Sequence, residues 1–276
     1  MVASTRDRYD RCVSDLVTRA LEVNAANLAL GCQRFAIEDA VLVLNRATPQ
    51  IYDANHASNV TASSPTAIDR LLAAVEREYE GIDHRRFDVD FRTPPEFIAR
   101  LALEGYERSD VLILLLEGDL AGTAPVHEIR AIESESDWNA YAGLHAIDWQ
   151  NDMERRKQPE QPEVRDSMIV ANRAKQPPVQ NWLAYIDGSA VAYFNSWEGT
   201  DGVGQVENLF THPDFRHRGL ATALIHHCVA DSRRKGAGSV VITADPSDTP
   251  KQMYAALGFR PLAVCSHYLK KLTLIA

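Results

Sequence analysis

The sequence predicts an α/β protein, a sheet flanked by helices, on three observations. Val203 to Gly238 reads as a strand, a tight basic turn and a long amphipathic helix. Strand-length apolar runs such as Val111 to Leu116 alternate with segments whose apolar residues recur at i, i+3 and i+4. At 276 residues the chain is also long enough for two domains, each with its own core.

Composition narrows the class. A hydrophobic share of 45% with 24% charged residues is that of a globular chain. A formal net charge of -9 argues against a general nucleic-acid binder and is compatible with a cationic amine ligand. No apolar run reaches the length of a membrane span, and MVASTRDRYDRC carries charges where a signal peptide needs apolar residues. Cys12, Cys32, Cys228 and Cys265 lack metal-ligand spacing, so they read as free thiols in a reducing cytoplasm with no metal site.

Taken in order, Asp7 to Leu30 is predicted as a helix and Asp39 to Asn45 as a strand, with Gln50 to Val60 extended. A helix follows over Thr66 to Tyr79, started by Ser64-Pro65, then a strand His84 to Asp90, a helix Pro94 to Leu103 and a strand Asp110 to Glu117. Gly118 to Pro125 is small-residue-rich and reads as a linker between units 1–121 and 126–276. Val126 to Ile132 opens the second unit as a strand, and Ser134 starts a helix reaching Asp148, acidic at its positive end. Asn151 to Pro162 reads as an exposed loop before a second helix, Glu163 to Ala174. Asp187-Gly188-Ser189 turns a hairpin between Trp182–Ile186 and Ala190–Trp197. Val203–Thr211, Ser239–Ala244, a helix Pro250–Leu257 and Pro261–Leu272 complete the sheet.

The chemistry concentrates at Arg216-His217-Arg218-Gly219-Leu220-Ala221. Glycine and a small residue at a helix start leave backbone N–H groups uncovered, and the helix dipole there favours negative charge. Arginines add charge-assisted bonds to phosphate oxygens, so the turn reads as a pyrophosphate cradle. The alternative is an ordinary helix start with solvated arginines.

The wider stretch resembles the GNAT superfamily of acetyl-CoA-dependent N-acyltransferases. Arg216-x-x-Gly219-x-Ala221 after Thr211-His212-Pro213 is similar to the family's Arg/Gln-x-x-Gly-x-Gly/Ala turn, and Tyr254-Ala-Ala-Leu257-Gly258-Phe259 to its Tyr-x-x-Leu-Gly-Phe motif. The resemblance implies the GNAT fold over 126–276, a mixed, mostly antiparallel, splayed sheet flanked by helices, with acetyl-CoA as cosubstrate. In the first unit the element order and Leu103-Glu104-Gly105-Tyr106 echo the second half of that fold, but the loop 61–67 has no cradle motif. It reads as a degenerate GNAT-like domain, against an unrelated α+β domain.

By resemblance, Leu209, Phe210 and Thr211 lie along the pantetheine arm through their main chains. Arg216, His217, Arg218, Gly219, Leu220 and Ala221 would bind pyrophosphate, with the Thr222 hydroxyl as an extra donor. Tyr254 stands where the family carries a general acid for the leaving thiolate; its other reading is a core aromatic. Glu207 stands where many members carry the base that deprotonates the amine, usually through water; otherwise it is a solvent-facing strand residue. His226 and His227 read as helix histidines, not catalysts. Ser247 replaces the asparagine common in the family, and Asp248 is a candidate helix cap instead. The expected function is acetyl transfer to a primary amine of a small molecule by direct transfer in a ternary complex, an acyltransferase of class EC 2.3.1.-. The alternatives are a non-catalytic acyl-CoA-binding sensor or assembly module, or a protein-lysine acetyltransferase.

Overall fold

The computed structural model describes residues 5–247 and 249–272, with side chains from residue 15 onward. The Cys12 thiol and the proposed cap Asp248 lie outside the described residues. The first run folds as α1 (Thr5–Ala29), β1 (Gln33–Ile37), β2 (Ala40–Leu44), β3 (His56–Ser58), α2 (Pro65–Glu78), β4 (His84–Val89), α3 (Pro95–Leu103) and β5 (Glu107–Leu116). The second folds as β6 (Glu128–Ala131), α4 (Glu135–Arg156), α5 (Pro162–Ala174), β7 (Gln180–Ile186), β8 (Ser189–Thr200), β9 (Val203–Thr211), α6 (Leu220–Arg234), β10 (Ser239–Ala244), α7 (Pro250–Ala256) and β11 (Arg260–Lys271).

Three local expectations are corrected. β1 is not among the expected strands; Gln33–Ile37 is a short, largely exposed edge strand that pairs with β2 through a tight turn, Ile37 opposite Ala40. Gln50 to Val60 is not one extended run but a 3-10 turn at Tyr52–Ala54 followed by β3. Asn151 to Arg156 is helix, not loop. Asp152 pairs with Arg155 at 2.6 Å and Arg156 at 2.8 Å along the helix, and Lys157 ends α4 in the left-handed region at φ 55°.

All strands join one sheet in the order β1-β2-β3-β4-β11-β5-β10-β9-β8-β7-β6. Among the described residues only β3–β4 and β9–β10 pair in parallel. The two expected units are interlocked in it. The last strand of the chain, β11, lies between β4 and β5, while β5 lies between β11 and β10. Each unit thus takes its inner neighbour from the other. β5 serves two cores: Leu114 and Leu116 pack with α6 residues Leu224 and Cys228. Ile113 and Leu115 lie on the opposite face beneath Ala20, Leu21 and Val23 of α1, with Val203, Val241 and Trp197. The N-terminal helix therefore covers the strands of the C-terminal half. Phe87, Phe97 and Tyr268 belong to a third core, under α2 and α3. Among the described residues no helix is long and apolar enough to cross a membrane.

Candidate active site

Parallel pairing of β9 with β10 covers only Val203–Gln205, opposite Ser239–Val241, and the strands diverge beyond it. A bulge opens the gap. Glu207 is opposite Asn195 and Phe210 opposite Tyr193, so β9 holds one more residue than β8 there. Asn208 absorbs it at φ 61°, a left-handed conformation that asparagine tolerates better than most side chains. The Glu207 N–H is satisfied by Asn195 Oδ1 at 3.1 Å.

The cradle stands at the far end of β9. Gly219 adopts φ 80°, and a Cβ there would meet Pro125 Cγ at 2.9 Å, so both conformation and space call for glycine. His127 Nε2 lies 2.9 Å from the Arg218 carbonyl and ties the turn to β6's approach. The first satisfied helix N–H is that of Ala223, donating to Gly219 O at 2.9 Å. Among the described residues the N–H groups of residues 217–222 have no partner. They border a cleft of about 690 Å³ lined by Leu209, Phe210, Thr211, Arg216 and Tyr254, continued by about 190 Å³ along Gly219, Leu220 and Thr222. The Thr211 hydroxyl is buried beside this cleft without a hydrogen-bond partner. Unpaired amides, an arginine and an orphan hydroxyl suit a phosphorylated, amide-containing ligand.

Where the strands separate, a second chamber of about 250 Å³ opens behind the cleft. Asp148 and Leu209 line both spaces and so form the joint between them. Glu207 Oε1 accepts from the Thr243 N–H at 2.8 Å and from Gln205 Nε2 at 3.0 Å, replacing the missing strand pairing. Burial pushes the Glu207 carboxyl above the usual carboxylate range, partly offset by these bonds. Burial likewise raises Asp148, which accepts from the Tyr193 hydroxyl at 2.6 Å. His145, stacked near Tyr193, is buried with no partner for Nδ1, and desolvation lowers it to about 4. The opposite wall is α1, through Asn24 and Asn27, with Asp53 before β3. Among the described residues no group of three or more His, Cys, Asp or Glu is arranged to hold a metal.

Residues 141–259 match the model of the acetyltransferase (GNAT) family. They form a GNAT acetyltransferase domain. No curated protein matches the chain. Among solved structures, a GCN5-related N-acetyltransferase from Kribbella flavida is similar over 93% of this chain and 97% of its own, at 18% identity and TM-score 0.67. A functionally unknown conserved protein from Staphylococcus epidermidis is similar over 88% and 95%, at 14% identity and TM-score 0.67. A tandem GNAT protein from the clavulanic acid biosynthesis pathway is similar over 84% and 78%, at 15% identity and TM-score 0.57. At these identities the likeness is one of fold, and it runs across both halves of the chain.

Within the GNAT domain most predicted residues converge on the cleft. Leu209, Phe210, Thr211, Arg216, His217, Ala221 and Tyr254 line its main part; Gly219, Leu220 and Thr222 line the extension. Glu207 lies in the chamber behind. Arg218 is turned away: its guanidinium stacks on Phe215 at 5.2 Å and lines neither space. Ser247 is folded back on Asp245, donating through its N–H at 2.7 Å and hydroxyl at 2.6 Å. Sequence reasoning missed Asn151, Asp152 and Arg155, because the polar C-terminal part of α4 reads as a loop, and Asp148, which nothing local distinguishes. It also missed Lys175, Asp53, Asn24 and Asn27, whose approach to Glu207 depends on tertiary structure.

Proposed function

We propose that the chain is an N-acetyltransferase that moves the acetyl group of acetyl-CoA to a primary amine of a small molecule, by direct transfer with both bound. The observation that carries this reading is the meeting, at Asp148 and Leu209, of the cradle-headed cleft with a chamber lined by Asp53, Asp148 and Glu207. Acetyl-CoA supplies the activated acyl group, and the residues present fit it. The free N–H groups of 217–222 with Arg216 would hold the pyrophosphate, and the unpaired edge of β9 beyond Gln205 would take the pantetheine amides.

The chain's own groups then divide the proton work. Glu207 receives the amine proton, directly or through water; its raised proton affinity makes it a stronger base than an ordinary carboxylate. The Tyr254 hydroxyl, in the lining of the same cleft, donates to the leaving sulfur. A chamber walled by α1 suits a small acceptor better than a lysine on a folded protein.

The two-unit division belongs to the same proposal, with 1–121 a degenerate copy and 126–276 catalytic. It is supported by the mirrored element order: hairpin, strand, helix, parallel strand, helix, strand occurs in β1–β5 and again in β7–β11. Thiol release from acetyl-CoA across an amine panel tests the function. Turnover with one acetyl-CoA bound per chain is the expected result; binding without turnover of any amine would leave a sensor.

A further inference from the structure

We propose that the acceptor is a primary amine that also carries a carboxylate, and that Lys175 is the residue that selects for the acid group. This rests on the acetyl-transfer reading and names the substrate class of that site.

Lys175 follows α5 and is the only lysine or arginine among the described residues lining the chamber. Its Nζ donates to Asn27 Oδ1 at 3.2 Å, and no carboxylate of the described residues lies within ion-pair distance of it. An ammonium carries three donors, so most of its bonding capacity is unused. The chamber's carboxylates are each engaged with something else. Asp53 pairs with Arg86, Glu207 holds the Thr243 N–H and the Gln205 amide, and Asp148 holds the Tyr193 hydroxyl. Burial lowers the proton affinity of the Lys175 amine against the more distant attraction of Asp53 and Glu207, so an anionic ligand group in direct contact would favour its charged form.

The chamber's remaining polar groups have the opposite character. Asp148, Glu207 and the orphan Nδ1 of His145 offer acceptors where the amine must meet the acyl cleft. One ammonium and several acceptors in about 250 Å³ match a small zwitterion, with its acid toward α5 and α1 and its amine toward β9. Asn24 and Asn27 add neutral amides to the same lining, and Asp53, the carboxylate that acts on Lys175 through space, is itself neutralised by Arg86.

The test compares the common primary amino acids and 4-aminobutyrate, each against the amine left when its carboxyl group is removed. For the acids that are turned over, kcat/KM in the wild type should exceed that of the matched amine. Lys175→Met keeps the stem and removes the charge. It should lower that ratio roughly tenfold to a hundredfold, the scale of a lost charge-assisted hydrogen bond, and Lys175→Arg should recover part of it. Unchanged acetyl-CoA affinity checks that the variants fold. A wild-type ratio near one, a preference for the decarboxylated amines, or a ratio that survives in Lys175→Met would overturn the proposal. If nothing is acetylated, transfer fails as the function, and calorimetry with the same pairs still decides the ligand class. Tighter binding of the acids, lost in Lys175→Met, would uphold it, and equal or absent binding would reject it.

Discussion

At the residue scale, Glu207 shows how one carboxylate serves fold and chemistry together. One oxygen closes the gap between β9 and β10 by accepting the Thr243 N–H, which leaves the group buried and raises its proton affinity. Below its pKa it is protonated and takes no proton; above it the base form is present. The acidic limb of kcat/KM should therefore lie above the ordinary carboxylate range. Glu207→Gln keeps an oxygen for Thr243 and removes basicity, so that limb should vanish and the rate should recover as pH rises and free amine accumulates. Retention of the same limb in the variant would assign it to another group, Asp148 being the neighbour to test next. Tyr254→Phe keeps the buried ring against Phe259 and deletes the donor. Its kcat should fall by about 10²–10⁴ with acetyl-CoA affinity little changed. A change confined to KM would instead mean that uniform binding had been removed. Both residues were readable from their positions beside the motifs. Lys175 and Asp148 were not, since nothing local distinguishes them and only packing brings them beside Glu207.

At the element scale, the strand–turn–helix unit was legible because its physics is local. Gly219, a helix start and nearby arginines specify uncovered amides without help from the rest of the chain. The bulge at Asn208 was not, since a single asparagine in a strand pattern does not announce left-handed geometry. Gly219→Ala forces a side chain into φ 80° against Pro125, a strain of about 1–2 kcal/mol. Calorimetry should show acetyl-CoA binding weakened about tenfold, in line with that strain; unchanged affinity would mean that the turn does not hold the ligand. The two arginines should separate. Arg216→Ala removes a cleft-lining charge and should weaken acetyl-CoA binding roughly tenfold or more. Arg218→Ala removes a group stacked on Phe215 and should cost far less. Equal losses would show that Arg218 swings into the cleft on binding. The helical end of α4 was hidden by its polarity: NDMERR looks like loop until the Asp152 pairs with Arg155 and Arg156 are seen along one helix face.

At the scale of the whole molecule, the α/β class and the order of most elements follow from periodicity, but the exchange of β5 and β11 leaves no local trace. A strand's apolar residues specify burial, not which neighbour supplies it. The exchange makes a strong claim about autonomy. A chain cut to 126–276 would lose β5, exposing the edge of β10 from Val240 to Ala244 and the face of Val241 and Val203 that α1 covers. Its β11 would lack both partners, β4 and β5. Uncovered apolar strand edges pair with other chains, so this fragment alone should aggregate or unfold without a cooperative transition. Fragments 1–121 and 126–276 produced together should restore the ladders between chains, copurify and bind acetyl-CoA, because the cut falls in the segment between β5 and β6 and severs no strand. The intact chain should unfold in one transition, since removing either half strips a core from the other. A 126–276 fragment that melted cooperatively and bound acetyl-CoA as tightly as the intact chain would refute the exchange as a stabilising feature. The N-terminal half would then act on the acceptor alone, through the α1 wall that faces Glu207.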